Sequence, residues 1–193
     1  MTSLRSPWLA APFALALLPA CQPGSGGALD PVVAPGVERQ ADESYEQAAL
    51  VAVGPLTARV TGRWSSERAQ SLRITYRNTG PTIARVRVGD LKLQHAIGDS
   101  GLRTALDATG VDLTDDRLDN NRSRMLYSID EQITDSVVLD VPAGTTRVLV
   151  ADFTSFSNDR TVAAGDRIVA TVPVGARSVR VAFTAARPPL WPF

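Results

Sequence analysis

Leu72-Arg73-Ile74-Thr75-Tyr76-Arg77-Asn78-Thr79-Gly80-Pro81 decides how the chain is read. Leu72, Ile74 and Tyr76 alternate with Arg73, Thr75 and Arg77, which is the period of a strand with one buried face. Asn78-Thr79-Gly80-Pro81 then supplies a turn. Ahead of it, residues 56–64 keep the same period, with Ala58, Val60 and Gly62 on one side and Arg59, Thr61 and Arg63 on the other. Behind it, Ala84, Val86 and Val88 alternate with Arg85 and Arg87. At Gly89-Asp90 the apolar parity passes to Leu91 and Leu93. Such a flip predicts a bulge, or a bend that carries the chain to another sheet.

Further strands are expected over residues 136–141, 146–153, 167–172 and 177–184. Val141-Pro142-Ala143-Gly144-Thr145 and Ala163-Ala164-Gly165-Asp166 read as turns between them. Strands of this length joined by such turns indicate an all-β fold, an antiparallel sandwich of seven or eight strands over residues 48–186. Residues 98–132 form an acidic insertion, longer than an ordinary hairpin loop. Within it Thr114-Asp115-Asp116 offers a helix start, with Arg122 and Arg124 placed favourably near its end. A partly helical insertion is therefore expected.

Three stretches carry a likeness to known domains: residues 72–80, then Val86-Arg87-Val88-Gly89-Asp90-Leu91-Lys92-Leu93, then Val141-Pro142-Ala143-Gly144-Thr145. Through them the chain resembles the small immunoglobulin-like domains of bacterial secreted proteins and lipoproteins, over about residues 55–185. In those domains a strand ends in Asn-x-Gly and a Pro-Ala-Gly-Thr turn opens a later one. The resemblance implies a fold and an adhesive or scaffolding habit, not an activity. The Cys…Trp…Cys pattern of antibody domains is missing.

Residues 1–20 have the three parts of an export signal: Arg5 as a positive flank, an apolar run from Trp8 to Leu18, and small Ala20 before a cut. Eleven residues rise only about 17 Å as a helix, too short for a hydrocarbon core of about 30 Å. Leu18-Pro19-Ala20-Cys21 resembles the lipobox of bacterial lipoproteins, with Leu18, Ala20 and Cys21 on pattern and Pro19 a less usual choice. The resemblance implies diacylglycerol on the Cys21 sulfur, cleavage before Cys21 and acylation of the new N-terminus. The alternative is an ordinary signal peptide that leaves a lone thiol, a liability in an oxidising compartment. Gln22, rather than Asp, follows the cysteine, so the outer membrane is the expected destination, facing the periplasm or the cell surface. Residues 21–47 read as a flexible tether: 22–36 are rich in Pro, Gly and Ala, and 37–47 are polar, a short helix or more linker.

Composition removes several functions. Formal net charge is zero, with 19 arginines, one lysine and 20 acids, so the cationic footprint of a nucleic-acid binder is absent. A single cysteine excludes an internal disulfide, and a single histidine, His95, argues against a soft-metal site. No cofactor is expected. Gly98-Asp99-Ser100-Gly101 resembles the nucleophile motif of trypsin-like proteases. That chemistry needs a His base oriented by an Asp, and the only histidine lies five residues upstream. A polar turn is the better account, and a hydrolase built on His95 stays as the second alternative. Asp112, Asp115, Asp116 and Asp119 are weak calcium candidates, without EF-hand spacing. Asn121-Arg122-Ser123 fits a glycosylation sequon, which is read as chance in a bacterial chain.

Charge is segregated along the chain. Residues 56–94 carry eight cations against Glu67 and Asp90, a net of +6, and residues 98–140 carry ten acids against four arginines, a net of −6. If residues 78–82 close a hairpin, Arg73, Arg77, Arg85 and Arg87 share one solvent face. That face would suit an anionic glycan, a lipid head group or an acidic envelope protein. Arg187-Pro188-Pro189-Leu190-Trp191-Pro192-Phe193 is apolar and rich in proline, which forbids a paired strand. It is expected to pack on the sandwich or, alternatively, to dock a partner through Leu190, Trp191 and Phe193. The functional expectation is a non-enzymatic binding or structural module held to a membrane through Cys21. The first alternative is an accessory subunit of an envelope or secretion complex, docked through the arginine face or the tail.

Overall fold

The computed structural model describes residues 26–41, 47–65, 69–96, 106–107, 110–115, 125–128, 137–154 and 162–187. Among them are fourteen strands: β1 (Gly26–Pro31), β2 (Val37–Ala41), β3 (Gln47–Val53), β4 (Leu56–Ser65), β5 (Ala69–Asn78), β6 (Ala84–Arg87), β7 (Lys92–Ala96), β8 (Leu106–Asp107), β9 (Gly110–Asp115), β10 (Met125–Ser128), β11 (Val138–Val141), β12 (Thr146–Thr154), β13 (Arg167–Val174) and β14 (Arg177–Ala185). All pair antiparallel, in an all-β sandwich. One layer runs β10-β9-β12-β5-β4, with β3 and β2 beyond β4; the other runs β14-β13-β7-β8. β6 and β11 make a separate two-stranded sheet.

The alternation of β4 and β5 is the alternation of the core. Val60, Leu72, Ile74 and Tyr76 are buried in one apolar cluster with Leu93, Ile168, Val172, Val181 and Phe183 of the other layer. Burial of such side chains contributes about 1.5–3 kcal/mol each. Tyr76 is the largest fully buried side chain among the described residues, and its hydroxyl donates to Pro173 O at 2.9 Å, a bond from one layer to the other. The parity flip after β6 is a change of sheet. Val88–Asp90 form a single 3-10 turn, after which the chain leaves the β6–β11 sheet and pairs as β7 with β13.

The expected tether over residues 21–47 ends sooner than composition suggests, because β1 and β2 belong to the sandwich. Gly26, Gly27 and Ala28 pair with Ser65, Trp64 and Arg63 of β4, then Leu29, Asp30 and Pro31 cross to Ala185, Thr184 and Phe183 of β14. β1 therefore joins both layers, and Leu29 is fully buried. Gly26, which looked like linker, serves close approach: a Cβ there would lie 2.9 Å from Trp64 O. Arg39 of β2 donates twice to Pro31 O, at 3.2 and 2.6 Å, which fixes the turn between β1 and β2. These strands and the insertion account for a strand number above seven or eight.

Of the expected helix only the start, Thr114-Asp115, is described, and it is strand. Thr114 and Asp115 lie in β9, which pairs with β12 on one side and β10 on the other. Long-range pairing of the alternating Val111 and Leu113 overrides the local capping signal. Residues 116–124 lie outside the described residues.

The strands define two poles. At the lower pole stand Gly26, Ser65, Thr154 and Ala185; at the upper pole stand Leu56, Asn78, Thr146 and the turn at Gly175 between β13 and β14.

Candidate functional site

Asn78 organises the upper pole. It is buried, and every polar group it owns is bonded. Its Nδ2 donates to Thr82 O at 2.7 Å and Val141 O at 2.9 Å, and its Oδ1 accepts from Gly80 N–H at 2.9 Å. Its backbone N–H donates to Thr145 O and its carbonyl accepts from Gly144 N–H. Two sequence motifs, Asn78-Thr79-Gly80 and Val141-Pro142-Ala143-Gly144-Thr145, are thus one structural unit. They tie the end of β5 to the end of β11 and to the approach to β6.

Residues 78–82 do not close a hairpin. β5 pairs with β4 and β12, and β6 pairs with β11. The four arginines are therefore two separate pairs. Arg73 stands between Thr61 and Val150, and Arg77 between Thr57 and Thr146, on the outer face of the wide layer. Arg85 and Arg87 stand on the outer face of the small sheet, opposite Asp140 and Val138. Arg85 Nε meets Asp140 Oδ1 at 3.4 Å, with side chains 76% and 53% exposed. An ion pair so exposed contributes little, and leaves the guanidinium available to another carboxylate.

Beside the second pair lies an open groove of about 530 Å³, lined by Ile83, Ala84, Arg85, Arg87, Val138, Gly175 and Ala176. Ile83 is 56% exposed and Val138 47%. They are two of four large hydrophobic residues exposed among the described residues. Beneath them, Val86, Leu139 and Val141 face inward and are buried. The small sheet therefore has apolar side chains on both faces, one satisfied by the core and one open.

Sequence reading singled out Arg85 and Arg87 but missed Ile83, Val138 and the Gly175-Ala176 turn. Ile83 follows a turn and Val138 sits in an alternating strand, so neither pattern signals exposure. The missed partner of His95 is Asp166. Their Nε2 and Oδ2 are 2.8 Å apart, both half-buried, at the lower pole where β7 lies beside β13. The same Oδ2 accepts from Ala163 N–H at 2.9 Å. The carboxylate thus closes the turn before β13 and holds it to β7, a structural task that needs no substrate.

The remaining candidates divide as follows. Cys21, Ser100, Asp116, Asp119, Leu190, Trp191 and Phe193 lie outside the described residues. Asp112 pairs with Val150 and Asp115 with Arg147 along β9. Among the described residues no three His, Cys, Asp or Glu side chains gather as a metal site would require. No protein-family model matches the chain, and no curated protein matches it.

Proposed function

We propose that the protein is an exported, lipid-anchored envelope protein whose sandwich acts as a non-enzymatic binding module, with the groove beside β6 as its binding face. The observation that carries this reading is the exposure of Ile83 and Val138 next to Arg85 and Arg87 on a two-stranded sheet. Aliphatic side chains of a partner would fill the groove, and its carboxylates would meet guanidinium groups suited to bidentate contact. An extended acidic segment of another envelope protein fits best. β6 and β11 each have one edge that no strand pairs among the described residues, and an extended segment can add to such an edge.

The anchor reading rests on the likeness of Leu18-Pro19-Ala20-Cys21 to a lipobox. Labelled palmitate should enter the wild-type protein and not Cys21→Ser; no incorporation into either removes the anchor. The finer likeness to immunoglobulin-like domains is supported by the joining of the Asn78 and Val141–Thr145 motifs. To test the binding face, a photo-crosslinking residue is placed at Ile83 or at Arg73 in cells that express the protein. A discrete protein adduct is expected at Ile83, absent at Arg73 and lost when Arg85 and Arg87 are both changed to Glu. No adduct at Ile83, or equal adducts at both positions, overturns the assignment. A glycosidase-sensitive adduct would reassign the partner to a glycan.

A further inference from the structure

β14 is paired along nearly its whole length on one side only. On that side β13 runs from Arg167 to Val174 against Thr184 to Arg177. On the other, β1 covers Ala185, Thr184 and Phe183, and the last bond is Val32 N–H to Ala182 O at 2.8 Å. There the chain turns away. Ala34 N–H donates to Val37 O and Val37 N–H to Ala34 O, at 3.4 and 2.9 Å, and the chain goes on as β2 against β3. Residues 177–181 of β14, about 17 Å of strand, keep an edge that no described strand pairs.

Strand parity shows which backbone groups that edge presents. Ala185 N–H donates to Asp166 O on the β13 side, so Ala185, Phe183, Val181 and Val179 turn their backbone groups toward β13. Ala182 O and Ala186 N–H bond on the β1 side. Ser178 and Arg180, in step with them, turn N–H and C=O outward. Pro173 lies opposite Ser178 and has no N–H to offer, which fits the same parity. Arg177, Ser178 and Arg180 are exposed, Val179 is half-buried and Val181 is buried.

Two observations say what suits this edge. Val32 and Val33, 36% and 65% exposed, stand where β1 leaves the ladder. With Ile83 and Val138 they are the four large hydrophobic residues exposed among the described residues, so each pair marks one unfinished edge. Residues 177–181 also carry two arginines and no acid, and neither arginine meets a carboxylate among the described residues. A second copy joined edge to edge would set four arginines along one short ladder with no acid between them, an unfavourable arrangement.

From this placement we propose that residues 177–181 of β14 are a second docking edge, independent of the groove beside β6, which takes an extended acidic segment of another protein as an added strand antiparallel to β14. The added backbone bonds Ser178 and Arg180. A carboxylate opposite Arg180 shares the outer face with the guanidinium, and aliphatic residues opposite Val179 and Val181 turn inward. The segment recognised therefore alternates acid with aliphatic.

The test uses the full chain as the cell processes it and the peptide acetyl-Thr-Val-Glu-Val-Glu-Thr-amide, with residue-resolved amide exchange as the readout. At ten times the dissociation constant, exchange at Ser178 and Arg180 should slow about tenfold. The same peptide N-methylated at both glutamates, and one with Lys in place of Glu, should give no slowing. Arg180→Glu should weaken binding of the acidic peptide about tenfold. No slowing at Ser178 and Arg180, or slowing at β6 alone, overturns the second edge and leaves the groove standing. Equal slowing by the N-methylated peptide overturns strand addition, and equal slowing by the Lys peptide overturns the acidic partner. Slowing that needs no peptide and rises with protein concentration makes the occupant a second copy and overturns the partner named here.

Discussion

β5 and β6 follow one another in the chain, carry the same alternation of arginine with aliphatic residues, and come to rest in different surroundings. β5 is bonded along both edges, to β4 and β12, and is held to the opposite layer by the Tyr76 hydroxyl. Among the described residues β6 has one paired edge and depends on β11, which Asn78 holds at Val141 O. Arg73 and Arg77 look out from the middle of a broad sheet. Arg85 and Arg87 look out beside exposed Ile83 and Val138. Alternation tells which face a side chain takes. It does not tell whether that face belongs to a sheet that is finished or to one with room for a partner.

The contrast can be broken most sharply at Asn78. Asn78→Ala leaves Thr82 O, Val141 O and Gly80 N–H without their side-chain partner, at a cost of roughly 2–4 kcal/mol by urea unfolding. Hydrogen exchange should quicken at Val86 and Leu139 before it does at Ile74. Uniform loss across all three would show that β6 and β11 are no less secure than β5.

Tyr76→Phe tests the opposite limb. It should cost about 1–2 kcal/mol, because Pro173 O loses its buried donor. The same residue makes stability sensitive to alkali. Burial raises the phenol's pKa above its ordinary value, so the folded state keeps a proton that the unfolded state releases above about pH 10. Stability should therefore hold below that pH and fall as pH rises beyond it. Stability-against-pH curves of Tyr76→Phe should be flatter there, and parallel curves would remove Tyr76 as the cause.

Next in size are the arginines. Reversal of Arg73 and Arg77 to Glu, or of Arg85 and Arg87, should change stability by no more than about 0.5 kcal/mol per residue, as for other exposed positions. Only the second reversal should abolish the adduct formed at Ile83. Smallest is Arg85→Ala, whose loss of the Asp140 contact should lower the unfolding free energy by less than about 0.5 kcal/mol, and less again at high salt.

Much of the architecture was legible from local pattern. Leu72, Ile74 and Tyr76 announced a buried face, and the parity change at Gly89-Asp90 announced the passage from one sheet to another. What escaped depends on contacts distant in sequence. Gly26 has the composition of a linker, and only the approach of Trp64 O shows why it is small. Thr114-Asp115-Asp116 has a helix cap's chemistry, and only β12 makes its first two residues strand. The arginine face failed for the same reason: register between β5 and β6 was assumed from a turn, while both found other partners. Asp166 and His95 stand 71 positions apart, with no motif to link them.

β1 has a mechanical consequence. It rises from the lower pole along its own axis, three residues against β4 and three against β14. A tug on the N-terminus, directed out through that pole, therefore slides the strand lengthwise and loads both short ladders together, instead of peeling one rung at a time. The two layers share the strain because one strand is stitched into each. Single-molecule pulling should show a single abrupt rupture; a gradual peeling of β1 would mean that the stitch carries no shared load.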